Sequence, residues 1–173
     1  MTDLLGADAL DQLFLKARTQ NDWKEEVLDE ALLHRLYDLT KMGPTAANGS
    51  PARFLFCASR ESRDRLAVLA SDSNAAKIRQ APVTVIIGMD MAFHDQLPEL
   101  FPHTDARSWF AGNEALTRES AFRNASLQGG YLILAARALG LCREPIRQGT
   151  GRAVGDLLEL LGQLAAHGHT PLA

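Results

Sequence analysis

The chain has 173 residues, 46% of them hydrophobic and 23% charged, with a formal net charge of -3. A chain of this size buries about 68–70% of its unfolded surface, so one ordinary soluble domain needs neither disulfides nor a structural metal. The mixed charge, with no basic stripe interleaved with aromatics, argues against nucleic acid as a partner, and no apolar run approaches the ~20 residues of a membrane helix.

Residues 7–17 place Leu10, Leu13 and Phe14 at helical spacing, and the polar run 18–23 breaks the pattern. Asp29 is placed to cap a helix over 30–42, whose stripe is Leu32, Leu33, Leu36, Tyr37 and Leu39; Met42-Gly43-Pro44 ends it. A loop of small and polar residues follows at 44–51, then a buried strand at 53–58. Residues 60–70 read as a charged helix and 74–80 as a short one. Residues 82–89 (PVTVIIGM) are the clearest strand, rich in β-branched side chains. Residues 93–110 read as a loop or lid. A long helix over 114–141 carries Phe122, Leu127, Leu132, Ile133, Leu134 and Leu139 on more than one side, the pattern of a central or subunit-interface helix; Gly140 is its stop signal. Beyond Cys142 the character changes to a glycine-bearing tail without aromatics or strand signals. There is no internal repeat and no sign of a second domain. The order of helices and few strands is an α/β (α+β) pattern.

Several chemistries are poorly supported. The histidines His34, His94, His103, His167 and His169 are scattered, and no Cys/His/carboxylate cluster has ligand spacing, so no metal is expected. Gly149-x-Gly151-x-x-x-Gly155 has the look of a dinucleotide loop, but no strand precedes it, and a flexible glycine-rich segment is the better reading. Neither a Gly-x-Ser-x-Gly elbow nor a P-loop occurs. The two cysteines, Cys57 and Cys142, read as reduced thiols of a cytoplasmic protein.

Three segments gain meaning together. Arg18-Thr19-Gln20-Asn21 offers a guanidinium, a hydroxyl and an amide within four residues, a set that can hold a phosphate. Residues 44–51 (PTAANGSP) are small enough for backbone to approach a flat ring, with Thr45 and Asn48 as side-chain partners. Asn74-x-x-Lys77 puts an amide and an ammonium on one helix face. Taken singly, each has a plainer reading: a solvated loop, a helix-to-strand turn, a solvated surface pair.

In this order and spacing the three segments resemble the flavin-binding signature of the nitroreductase family. Arg18, Thr19 and Asn21 fall on its opening Arg-rich motif, whose first Arg position is Ala17 here. Pro44, Thr45, Ala46, Asn48, Ser50 and Pro51 fall on its Pro-Ser-Ser-x-Asn-x-Gln-Pro-Trp loop, with Ser50 in place of Gln and Ala52 in place of Trp. Asn74 and Lys77 fall on its Asn-x-x-Lys pair, and Asn124 where an amide meets the flavin in some members. Residues 43–54, 100–110 and 121–126 resemble the malonic semialdehyde reductase branch of pyrimidine degradation, whose members also carry the label NADH dehydrogenase/NAD(P)H nitroreductase.

The resemblance implies a three-layer fold with a central, mainly antiparallel sheet flanked by helices, and a homodimer with FMN at the interface. It implies an FMN-binding domain over 1–142. Residues 143–173 do not resemble the loop, helix and last strand with which the family continues. They are expected to be a divergent tail, the product of a shifted frame or truncation, rather than a separate domain. The implied activity is FMN-dependent, with NADH or NADPH donating a hydride through flavin N5 in ping-pong order. Malonic semialdehyde would become 3-hydroxypropanoate, with nitro or quinone reduction as the alternative and a non-catalytic binding or dimerisation remnant as a third reading. Arg18, Thr19, Asn21 and Lys77 would anchor the phosphate and polar ring edge. Pro44, Thr45, Ala46 and Asn48 would pack on the ring. Arg107 and Ser108 are the residues expected at the substrate carboxylate, with an internal pairing of Arg107 as the even alternative.

Overall fold

Asn113 starts the longest helix among the described residues, accepting a hydrogen bond from Leu116 N at 3.1 Å to cap α6 (Glu114–Ala138). The computed structural model describes residues 4–19, 23 and 27–141. Within these residues the chain forms two compact units, the first from 4–17, 29–54 and 87–141, the second from 18–19, 23, 27–28 and 55–86.

In the first unit α6 packs on α2 (Glu30–Thr40) and on the N-terminal turn, where α1 (Ala7–Leu10) widens into a π-type turn at Asp11–Leu15. Gln12 Nε2 donates to Arg137 O at 2.7 Å, and Arg137 Nη1 donates to Leu13 O at 2.9 Å. The first bond adds a donor to a carbonyl in the last turn of α6, where helix carbonyls run short of intrahelical partners, and the second ties Leu13 of the N-terminal turn to the same residue. The buried face of α6 is made of small or polar residues, Thr117, Ala121, Ala125, Gln128 and Gly129, with Leu132 and Ala135 further on. Small residues let other segments approach closely: a Cβ at Gly129 would stand 3.1 Å from Ile87 Cδ1.

Residues 93–110, expected from sequence to be a loop or lid, form a packed cap that contains short helical turns. Helical turns at Phe93–Gln96 and Arg107–Trp109 flank α5 (Leu97–Leu100). Phe93, Leu97, Ala106 and Phe110 are buried with Ala121 of α6, and the Phe93 and Phe110 rings meet edge to face at 5.0 Å. Each fully buried Phe or Leu contributes about 1.5–3 kcal/mol, which suffices to order a segment whose helical turns are too short to persist alone.

In the second unit α3 (Arg60–Ala67) and α4 (Asp72–Gln80) pack on each other around Cys57, Leu66, Ala67, Ala75 and Ile78. Ser59 caps α3 by accepting from Ser62 N at 3.1 Å. Arg63 donates to Ala81 O, and Arg79 pairs with Asp64 at 3.5 Å, tying the end of α4 back to α3.

The strands β1 (Ala52–Cys57) and β2 (Thr84–Met89) pair antiparallel, with Asp90 N donating to Pro51 O at 2.8 Å where the pairing begins. Both strands continue from one unit into the other. The segment 53–58, expected to be buried, leaves Arg53 and Leu55 exposed, and β2 is half-buried throughout. Among the described residues the sheet has two strands, too few neighbours to bury either strand fully. The tail 143–173 and Asn21 lie outside the described residues.

Candidate functional site: a braced loop beside helix α6

The loop between α2 and β1 departs furthest from ordinary backbone. Ala47 (φ 50°), Asn48 (φ 52°) and Ser50 (φ 39°) all occupy the left-handed region, where a Cβ crowds the backbone. Gly49, the residue that region favours, sits instead at φ -70°. Its lack of a side chain serves packing: a Cβ there would stand 3.0 Å from Phe93 Cδ2 and 3.3 Å from Ala46 O.

Side chains hold this conformation. Asn124 Oδ1 accepts from Ala46 N at 2.8 Å, and its Nδ2 donates to Ser120 O at 2.8 Å, so both ends of that amide are engaged inside the chain. Thr45 Oγ1 accepts from Ser50 N at 3.0 Å, closing the loop on itself. Asn48 Nδ2 donates to Leu100 O at 3.3 Å, joining the loop to the cap. One helical turn beyond Asn124, Gln128 Oε1 accepts from Ala52 N at 2.9 Å, and the residue is only 4% exposed. Arg53 reaches back, donating to Ser50 O at 3.1 Å and pairing with Asp90 at 2.5 Å.

What the loop shows outward is small. Pro44, Ala46 and Asn48 are exposed, and Thr45 is half-buried. Such a surface is a low shelf on which a flat ring can lie. The other candidate residues fall elsewhere. Arg18 and Thr19 are exposed, and Asn74 and Lys77 stand nearly one turn apart on α4, both half-buried. In the cap, Arg107 Nε donates to Asp95 Oδ1 at 2.8 Å, and His94 Nε2 lies 4.0 Å from the same oxygen. Ser108 Oγ donates to Asp105 O at 2.7 Å. Among the described residues no group of three or more His, Cys, Asp or Glu is arranged to hold a metal ion. Gln128, Arg53 and Phe93 are the participants that sequence reasoning missed. A single amide in an apolar stretch, four residues after Asn124, was the available signal for Gln128.

The fold is that of the nitroreductases. A crystal structure of a candidate nitroreductase from Exiguobacterium sibiricum in complex with FMN superimposes with a TM-score of 0.67 at 20% identity, covering 79% of this chain and 73% of that one. A candidate NAD(P)H:FMN oxidoreductase of Staphylococcus epidermidis gives 0.67 at 13% identity, covering 81% and 74%. In sequence the chain is 66% identical over 142 residues to a candidate NADH dehydrogenase/NAD(P)H nitroreductase of Burkholderia lata, an alignment spanning 82% of this chain and 73% of that protein. A protein of the same name from Ralstonia nicotianae is 56% identical over 137 residues, 79% of this chain and 70% of that protein. The chain belongs to this NADH dehydrogenase/NAD(P)H nitroreductase family. No family model matches it.

Proposed function

We propose that the protein is an FMN-dependent NAD(P)H oxidoreductase, that residues 1–142 carry the activity, and that malonic semialdehyde is its substrate, reduced to 3-hydroxypropanoate. The observation that carries the reading is the braced loop. The segment that resembles the family's flavin loop folds as a shelf of small residues, stiffened from behind by α6. FMN held on this shelf would supply hydride transfer through N5 from NADH or NADPH to the second substrate.

The chain's own groups divide the work. The shelf Pro44, Thr45, Ala46 and Asn48 meets the ring through backbone and small side chains. The Thr45 hydroxyl and Asn48 amide already have partners and shape the shelf. Arg18, Thr19 and Asn21 supply charge and donors for a phosphate, with Asn74 and Lys77 at the polar ring edge. Asn124 acts behind the shelf. We place shelf and anchor on different subunits of a homodimer. Leu116 and Leu127, eleven residues apart and so on one side of α6, remain exposed and offer an apolar strip of the kind a partner covers.

Arg107 and Ser108 would receive the carboxylate of the acid-aldehyde, because a guanidinium binds carboxylate through paired donors. The Arg107–Asp95 pair favours a second reading, in which the site takes uncharged quinones or nitroarenes and Arg107 only braces the cap. Purification with FMN followed by an absorption spectrum tests the cofactor: about one flavin per subunit is expected, and a colourless soluble protein would refute it. Light scattering of the same sample reads the dimer. NADH and NADPH oxidation with malonic semialdehyde, a quinone and a nitroarene then ranks the substrates.

A further inference from the structure

We propose that Gln128 is a positioning residue for the cofactor loop: its buried amide fixes the far end of the shelf and so sets flavin affinity without touching flavin. The cofactor half of this inference rests on the flavin reading above.

The loop is tied to α6 at two points. Asn124 holds its near end through Ala46 N at 2.8 Å, and Gln128 holds its far end through Ala52 N at 2.9 Å. The two residues are four apart, so they project from one face of α6 as successive rungs. Between the rungs lie Ala47, Asn48 and Ser50, all left-handed. Without a fixed far end, these three can relax to ordinary backbone, and relaxation turns the shelf away. Asn124 is half-buried and its bond is exposed to water, whereas Gln128 and its bond are buried. Water can therefore replace the first tether but not the second, since a buried N–H that loses its acceptor has no other partner. The far tether also sets where β1 begins, because Ala52 is the first residue of that strand.

Three variants test the proposal. Gln128→Met keeps length and volume but removes the acceptor; Gln128→Glu keeps an acceptor oxygen at the same reach. Thr117→Val removes a buried hydroxyl from the same helix, one whose bonds go to Phe110 O and Asn113 O rather than to residues 44–52. Two quantities are read: amide hydrogen exchange across residues 46–52 in the FMN-free protein, and the Kd from FMN titration. Gln128→Met should speed loop exchange at least tenfold over wild type, raise the Kd at least tenfold, and leave mid-α6 exchange near wild type. Gln128→Glu should recover most of both effects. Thr117→Val should lower the thermal midpoint while leaving loop exchange and Kd unchanged. Loop exchange within twofold of wild type in Gln128→Met would overturn the proposal. So would a Gln128→Met that loosens loop and helix alike in the manner of Thr117→Val. Should Gln128→Met not fold, Gln128→Asn shortens the tether by one methylene and is read by the same criteria. A wild-type chain that takes up no FMN refutes the flavin reading and the cofactor half of the inference, while the exchange data still decide the tether.

Discussion

The turn that ends α2 lies directly under an aromatic ring, and replacing Gly43 with alanine measures how tightly. A Cβ at position 43 would stand 2.6 Å from Tyr131 Cγ, 2.8 Å from Cδ2 and 2.9 Å from Cδ1. Non-bonded carbons settle at about 3.5–4.0 Å, so the overlap is on the order of 1 Å. The nearest atom is the root of the ring, which rotation about the ring axis leaves in place. Relief requires Tyr131 to leave its rotamer or the turn to move off α6. Overpacking of this kind costs about 1–3 kcal/mol, and the reduced freedom of the unfolded chain returns about 0.4–1 kcal/mol. The net is a destabilisation of ~1–2 kcal/mol, or roughly 2–8 °C in the thermal midpoint of a chain this long. Thermal unfolding of the FMN-free protein, followed by circular dichroism, reads the change. The same substitution in a Tyr131→Leu background should cost less, and the difference is the coupling between the two positions. An unchanged midpoint for Gly43→Ala, or an equal cost in both backgrounds, would refute the argument. Because Pro44 follows directly, weaker FMN binding should accompany the destabilisation.

Gly49→Ala meets the edge of the Phe93 ring at 3.0 and 3.2 Å in a backbone conformation open to any residue, so the cost is steric alone; we expect a loss of about 1 kcal/mol, read by urea unfolding. Burial pushes the Cys57 thiol above the ordinary cysteine range, because the thiolate would lose its water. A raised folded value stabilises below the unfolded thiol value, and that contribution is lost as pH rises through the folded one. In a Cys142→Ser background, stability should therefore fall across the alkaline range more steeply than in the same chain with Cys57→Ala; equal slopes would refute this. Arg107→Ala should raise KM for malonic semialdehyde far more than for a neutral quinone, and equal effects would assign Arg107 to the Asp95 pair alone.

Features written in local chemistry could be read from the sequence. Asp29 caps α2 as expected, accepting from Ala31 N at 3.2 Å. Gly140 ends α6 at φ 75°, with Gly140 N on Arg137 O at 3.0 Å and Leu141 N on Ala136 O at 2.9 Å, the paired bonds of a glycine stop. Both strands appear within two residues of their expected limits. Features that depend on a distant partner could not be read. Phe93, Leu97 and Phe110 are spaced irregularly, so only their meeting with Ala121 reveals that 93–110 is a packed cap. Asn48-Gly49 marks a turn, but only the structure shows that Asn48 takes the left-handed position and that Gly49 is needed for the space beside Phe93. The site was partly legible for the same reason. Residues 44–51 announce a loop of small residues, but the groups that stiffen it come from α6, 76 positions along the chain from Ala52 in the case of Gln128.

The balance of forces in the loop bears on why it needs so much bracing. A left-handed L-residue costs roughly 1–2 kcal/mol, so three such residues cost about 3–6 kcal/mol, somewhat less for the asparagine. Against this stand the bonds from Asn124, Thr45, Gln128 and Asn48, each contributing about 0.5–1.5 kcal/mol, or ~2–6 kcal/mol together. The two sums nearly cancel. A loop so poised depends most on the tether that water cannot replace, and a ligand that binds the held shape stabilises it further by mass action. The loop is thus held near balance, by its own Thr45 and Asn48 together with two amides on α6.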